Sequence, residues 1–480
     1  MAERTVTVEV PSQSFEIETE VTPDVIGELV PFISRYFILP HKENFVNTRI
    51  TTVNGHPTLL FRALSPDRRG HIDIVLTAAQ PIRVVMKPSG PEIGSGFMYR
   101  LKEDLIIAIQ FFEENARKST LYFAWVKEGR QVTEKEPLMR RKALNRFFFD
   151  TMLVFFTVFI ISSIILFLFL GILAPIVLVI MQFIMVLLSA KIISRTADWY
   201  VTEKNPYVHI LQYHMPEEKF REFQERCGEE ELIALKREIY NETLGMGREL
   251  NCEAAERIFE KYGLKCTPAS LSTKKVNVYR LVKEIAEKFD LPVPKIAITN
   301  TMLPNAAASG PSPKHGIIVI TTGLLVQLEE DEIMSVIGHE FGHLKGRDPL
   351  ILFALTAGEY LIRIYVLLHF IFAFPLLYFL VAMGGIYFIS KFFEARADLL
   401  SAIKTGHPEA LAEALRKIGF RKLHFERLPT YRLQEWIGWD PHPPIYFRVQ
   451  RLERMGHQAE VKFPLLTSAI DCIKGFIAAF

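Results

Sequence analysis

The chain has 480 residues, with 56 Lys and Arg against 54 Asp and Glu and a formal net charge of +2. That balance excludes a chain-wide basic field for nucleic acid and an acidic tail for a cationic partner. With 49% hydrophobic and 23% charged residues the average looks ordinary, yet the mean hydropathy is +0.18, which predicts apolar residues pooled into a few long runs.

The first 21 residues, MAERTVTVEVPSQSFEIETEV, contain acidic side chains and no apolar core of a secretion signal, so the expected start is cytosolic. Cys227, Cys252, Cys266 and Cys472 form no C-x-x-C pair; neither a disulfide framework nor a thiolate zinc ribbon is expected, and a reducing compartment fits. Residues 1–138 read as a separate N-terminal α+β domain. RTVTVEV, SFEIETEV, HIDIVL and IRVVM alternate as strands do, DLIIAIQFFEENARK has one apolar helical face, and TLYFAWV is strand-like.

Thr151–Ala190 is a run of 40 residues without a formal charge, about twice what one membrane crossing needs. Gly171 and Pro175 punctuate its middle, which predicts a transmembrane hairpin over 147–192. Arg140, Arg141, Lys142 and Arg146 precede it and Lys191 and Arg195 follow, placing both ends in the cytosol. Residues 196–348 begin as charged helices and continue through strand-like PKIAITN and GIIVITTG. They end in LLVQLEEDEIMSVIGHEFGHLKG, whose acidic start suits a helix N-terminus. A second apolar stretch of 42 residues, 349–390, carries Glu359, Arg363 and His369. Glu359 and Arg363 stand four apart and can neutralise each other on one helix face. At 1.5 Å per residue the stretch gives about 63 Å of helix, enough for two crossings. Residues 391–480 complete the chain.

Chemistry concentrates around His339-Glu340-Phe341-Gly342-His343. Histidines four apart share a helix face and can offer two imidazoles to one zinc, while the glutamate between them reaches the attacking water. A catalytic zinc needs a third protein ligand. Downstream, Glu394 and Asp398 lie four apart in EARAD; one could ligate and the other orient a ligand histidine. His442 and Arg448, in PHPPIYFR, can each stabilise a developing oxyanion.

These motifs, in this order, resemble the membrane gluzincins, the family that includes HtpX and the CAAX prenyl proteases. The matching residues are H-E-x-x-H at 339–343, E-x-x-A-D at 394–398 and H-P-x-x-x-x-R at 442–448. PNAAASG at 304–310, followed by IIVITTGLL, is similar to the family's strand pair before the active helix. The likeness is nearer to HtpX, since the prenyl proteases have more membrane spans. It does not extend to residues 1–138.

The resemblance implies an α+β integral membrane protein. Its zincin-like metallopeptidase domain would be mainly helical with a small β-sheet, beside about four transmembrane helices. It implies one zinc per chain on His339, His343 and Glu394, with Glu340 as general base, Asp398 supporting the ligands, and His442 and Arg448 assisting the transition state. It further implies a substrate extended against an edge strand at Asn305 and Ile317, Ile318, Val319 and Ile320. Because His343 and Glu394 must meet at one metal, the stretch between them must cross the bilayer an even number of times. The expected protein is a multi-pass zinc endopeptidase of a prokaryotic cell membrane, its N-terminus and zinc site in the cytoplasm. Polypeptides, membrane-bound or misfolded, are the expected substrates, in protein quality control. The partners are those substrates and the lipid bilayer, with no nucleic acid. A protease for prenylated C-termini and a catalytically silent membrane scaffold are the competing readings.

Overall fold

A computed structural model describes residues 12–90, 93–127, 152–194, 197–438, 440–455 and 461–480. The basic flank at Arg140, Arg141, Lys142, Arg146 and Arg195, the strand expected in RTVTVEV and the boundary at residue 138 lie outside them. The chain divides into two compact units. One comprises 1–127, 209–275 and 419–424; the other comprises 128–208, 276–418 and 425–480.

The first unit is built on an antiparallel sheet of β1 (Gln13–Ile17), β2 (Phe45–Val53), β3 (His56–Leu64), β4 (His71–Thr77) and β5 (Ile82–Ser89), in the order β1-β5-β4-β3-β2. Alternation buries one face: Ile72, Ile74 and Leu76 from β4, and Ile82, Val84 and Met86 from β5. Helix α1 (Ser95–Arg117) lays Met98, Leu101, Leu105, Ile109 and Phe112 into the same core, a spacing of three and four that keeps them on one face. A three-stranded sheet follows, in the order β6 (Thr120–Val126), β8 (Tyr207–His214) and β9 (Leu271–Asn277). Residues 209–275 pack into this unit. Phe223, Leu235, Ile239 and Phe259 come from helices Glu217–Arg226, Glu229–Glu242 and Cys252–Lys261, and they share a core with Phe123 and Leu211 of β6 and β8.

One expectation is corrected here. Cys252 and Cys266, with Cα atoms 5.7 Å apart, form a disulfide, and only Cys227 and Cys472 are free. A separation of 14 residues matches no local cysteine motif, so the pairing follows from the tertiary path and not from spacing. Cysteine usage therefore no longer argues for a reducing compartment.

The second unit is mainly helical. Helices α2 (Met152–Leu170) and α3 (Ala174–Ser194) contact each other across a break where Gly171 takes φ +52°. A small sheet then forms in the order β11 (Ala306–Ser309), β12 (Ile317–Thr321), β10 (Lys295–Thr299) and β7 (Trp199–Val201). Helix α4 (Val278–Phe289) precedes β10, and α5 (Glu330–Gly346), α6 (Asp348–Tyr365) and α7 (Pro375–Thr405) follow β12. Helix α6 runs antiparallel to α3: the Phe183 and Phe353 rings stack with centroids 5.6 Å apart, and the Tyr365 hydroxyl donates to Ile172 O beside the Gly171 break. Helix α7 then turns back along α6, where Tyr378 donates to Glu359 and Arg363 Nε lies 3.4 Å from the same carboxylate. Among the described residues, the runs Ile161–Ser194 and Pro375–Thr405 are long and apolar enough to cross a membrane.

Candidate metal centre

Helix α5 begins with a capping box in which the Glu332 carboxylate accepts from the Glu329 amide at 2.8 Å. Lys417 Nζ donates to the same oxygen at 2.9 Å, fixing the helix start. Its face toward α7 is lined by small residues. A Cβ at Gly342 would stand 2.9 Å from Ala397 Cα; only a glycine lets the two helices approach this closely. That approach carries Glu394 of α7 to the two histidines of α5.

The Nε2 atoms of His339 and His343 are 3.1 Å apart, and each lies 3.4 Å from an oxygen of Glu394. Ligands at about 2.0–2.1 Å around a tetrahedral zinc are separated by about 3.3 Å, so the three groups already span the edges of such a site. Glu394 Oε2 is buried without a hydrogen bond, an acceptor that a cation would satisfy. Burial works against an imidazolium at His339, but the neighbouring carboxylates of Asp398 and Glu394 outweigh it and hold its pKa up at about 10. Glu394 is burdened by burial, yet His343, His339 and His442 hold its carboxyl well below the usual range. The pocket thus favours positive charge at its centre, and the residues present fit a zinc ion.

Each histidine is oriented from behind by an aspartate. His339 Nδ1 lies 2.8 Å from Asp398 Oδ1, and Arg448 grips Asp398 through two donors at 2.7 and 2.6 Å. His343 Nδ1 lies 2.7 Å from Asp348 Oδ2, and Arg396 Nη2 donates to both oxygens of Asp348 at 2.6 Å. With His343 Nδ1 hydrogen-bonded to Asp348 and His339 Nδ1 set against Asp398, both Nε2 atoms face the same point. Sequence reasoning missed Asp348 and Arg396. The available signal was a charged pair at the borders of an apolar stretch, with Arg396 standing between Glu394 and Asp398.

Arg448 is corrected. Expected beside the oxyanion, it is buried with its guanidinium fork committed to Asp398. His442 is half-exposed; its Nε2 lies 3.5 Å from Glu394 Oε2 and its Nδ1 2.8 Å from Asp440 Oδ1. Buried Lys391 holds this loop by donating to the carbonyls of Asp440 and His442. Glu340 is buried, and its Oε2 accepts from the Ala308 amide at 2.6 Å. Burial pushes its carboxyl up, opposed by the two histidines and by that amide.

The edge strand is also corrected. Ile317, Ile318, Val319 and Ile320 lie in β12, which pairs with β10 in parallel and with β11 antiparallel, so no edge is free there. Asn305 stands beside it, its amide donating to Thr321 Oγ1 at 2.9 Å. The edge is β11, whose outer side carries the Ala308 amide that meets Glu340. Three consecutive alanines have little strand propensity, which hid β11 in the sequence.

A helix bearing two histidines with a buried glutamate between them, completed by a glutamate from helix α7, defines a metallopeptidase of the gluzincin class. Peptidase family M48 matches the chain over residues 272–456. The chain is 30% identical over 222 residues to the Protease HtpX homolog of Pyrococcus furiosus, covering 39% of this chain and 75% of that protein. It is 47% identical over 74 residues to that of Thermodesulfovibrio yellowstonii, covering 15% of this chain and 26% of the relative. With that of Moorella thermoacetica it shares 32% identity over 178 residues, 33% of this chain and 58% of the relative. The chain belongs to peptidase family M48, as an HtpX-like metalloprotease.

Proposed function

We propose that the chain is a multi-pass membrane zinc endopeptidase that cleaves membrane-bound or misfolded polypeptides beside the bilayer. The observation that carries this reading is the convergence of one ligand atom each from His339, His343 and Glu394 within 4.8 Å of one another, with Glu340 buried alongside. These three residues would hold the metal, which would supply positive charge to polarise the scissile carbonyl and acidify the attacking water. Glu340 takes the proton from that water and returns it to the leaving amine. The His442 imidazole hydrogen-bonds the developing oxyanion. Asp398 with Arg448, and Asp348 with Arg396, hold the histidines in register. The substrate backbone adds to the outer side of β11, which supplies main-chain affinity with loose sequence preference.

Four crossings follow from the same reading. Helices α2 and α3 make the first pair; α6 and the first half of α7 make the second. Two features support it: α6 ends against the Gly171 break, and His343 and Glu394, on either side of 349–390, meet. Basic residues at both ends of the first hairpin put the N-terminus and the zinc site in the cytoplasm of a prokaryotic cell.

The test is a comparison of the detergent-purified chain with its Glu340→Gln variant, measuring bound zinc and cleavage of an unfolded model protein. About one zinc per chain in both, with cleavage by the wild type alone, is expected. Equal cleavage, or zinc in neither, overturns the proposal.

A further inference from the structure

The last helix, α8 (Pro464–Ile477), lies beyond the family match, which ends at residue 456. One face packs on α7. The Cys472 thiol donates to Lys391 O at 3.7 Å, and the Phe476 and Phe388 rings stand 5.5 Å apart, edge to face. Arg451 joins the two helices at the other end, pairing with Asp471 at 2.9 Å, donating to Ser468 Oγ at 2.9 Å, and donating to Ala395 O. The contacts therefore run from Ser468 near Ala395, through Cys472 at Lys391, to Phe476 at Phe388. Helix α8 is antiparallel to α7, and each of its turns lies further along the apolar part of that helix.

The opposite face packs on no other element among the described residues; the Phe480 ring meets only that of Phe476, 5.1 Å away. Leu466, Ile470, Ile473, Ile477 and Phe480 follow one another at intervals of four, three, four and three, all exposed, with Ile477 at 65% and Phe480 at 80%. At 100° per residue the four helical positions, Leu466 to Ile477, form one stripe across the helix from buried Ser468 and Cys472. A helix apolar on both faces does not belong in water. Its charged residues are accounted for: Asp471 is paired with Arg451, and Lys474 borders the stripe on a stem long enough to reach the headgroups.

We propose that the C-terminal end of α8 enters the bilayer, with the stripe from Ile473 onward against the acyl chains of the leaflet on the zinc-site side and Leu466 and Ile470 at headgroup height. The inference rests on the reading that 349–390 crosses the membrane. The argument for lipid is continuity. The apolar stretch of α7 ends near Ser390; Phe476 is level with Phe388, and the helix carries on past it to exposed Ile477. The stripe thus extends the lipid-facing surface that α7 exposes at Leu376, Leu380 and Val381.

The experiment uses the full chain with Cys227→Ser, reconstituted in phosphatidylcholine–phosphatidylglycerol vesicles. Nitroxide labels are placed singly at Leu466→Cys, Ile470→Cys, Ile473→Cys and Ile477→Cys. Leu380→Cys on α7 and Glu222→Cys on an exposed helix of the first unit serve as references, and collisions with oxygen and with a water-soluble nickel chelate are measured. Ile473 and Ile477 are expected to lose most of the nickel access seen at Glu222 and to gain oxygen access toward that of Leu380, with depth increasing from Leu466 through Ile470 to Ile477. Nickel access at Ile473 equal to that at Glu222, with Leu380 shielded, overturns this inference alone. Nickel access at both Ile473 and Leu380 overturns the membrane reading and the inference with it. Spin–spin broadening at Ile473 that disappears on dilution with unlabelled chain means that a second copy covers the stripe, and overturns the lipid assignment.

Discussion

Replacing Asp348 by Asn is expected to weaken zinc binding about 10–100-fold, or about 1.4–2.7 kcal/mol. Asp348 receives two demands at once: His343 Nδ1 at 2.7 Å, and Arg396 Nη2 at 2.6 Å from both oxygens. A carboxylate meets both with acceptor lone pairs. An asparagine has one oxygen, so its amide N–H faces either the imidazole N–H or the guanidinium, and one buried donor loses its partner. His343 then no longer holds its Nε2 lone pair toward Glu394. Competition against a chromophoric chelator, with the protein in detergent, reads the dissociation constant directly; cleavage at saturating zinc is recovered in large part. The double variant Asp348→Leu/Arg396→Met is expected to regain thermal stability lost by Asp348→Leu, because no buried charge is left uncompensated. It is not expected to regain zinc affinity. A dissociation constant for Asp348→Asn equal to that of the wild type would refute an orienting role for this aspartate.

Three further outcomes are expected. Ala308→Pro removes the N–H that Glu340 accepts from at 2.6 Å while leaving the pairing of β11 with β12 intact; losing that charge-assisted bond slows cleavage about 10–100-fold with zinc retained, and unchanged cleavage counts against the contact. Gly346→Ala places a Cβ 1.9 Å from Arg396 Nη2, so thermal denaturation is expected to show a loss of about 1–3 kcal/mol; an unchanged melting temperature refutes the close packing. In the first unit, burial, then Lys275 and Lys127, push His209 down from 6.5 to about 4. The folded chain therefore binds fewer protons than the unfolded chain between these values, and stability falls as pH drops through that window. Denaturation of His209→Gln at pH 7 and pH 5 is expected to show a smaller acid loss than the wild type, and an identical loss refutes the assignment.

Features set by local spacing were open to sequence reading. His339 and His343 share a face because one helical turn separates them, and Glu394 and Asp398 do so for the same reason; the structure brings the first three to one point. Uninterrupted apolar composition likewise marked 151–190. Features that depend on which helices meet were not legible. Asp348 and Arg396 become partners only where α5, α6 and α7 come together at Gly342 and Gly346. Arg448 carried the charge expected of an oxyanion donor, but its depth beside Asp398 decided its contacts. The β11 edge was hidden by alanines and assigned to the isoleucine-rich strand beside it, since β propensity marks central strands better than edges. The Cys252–Cys266 bond and the packing of 209–275 with the N-terminal sheets follow the tertiary path of the chain.

Helix α7 runs unbroken from Pro375 to Thr405, so Glu394 and the apolar stretch ending at Ser390 belong to one rod. Four residues of helix separate them, about 6 Å. On the proposed topology the reacting carbonyl is held at a fixed height, within the headgroup layer. Such a rod acts as a ruler. A bilayer-anchored substrate would be cut where its chain leaves the lipid, and a soluble one only after coming down to the membrane surface. Distance from the bilayer, more than side-chain identity, would then select the bond that is broken.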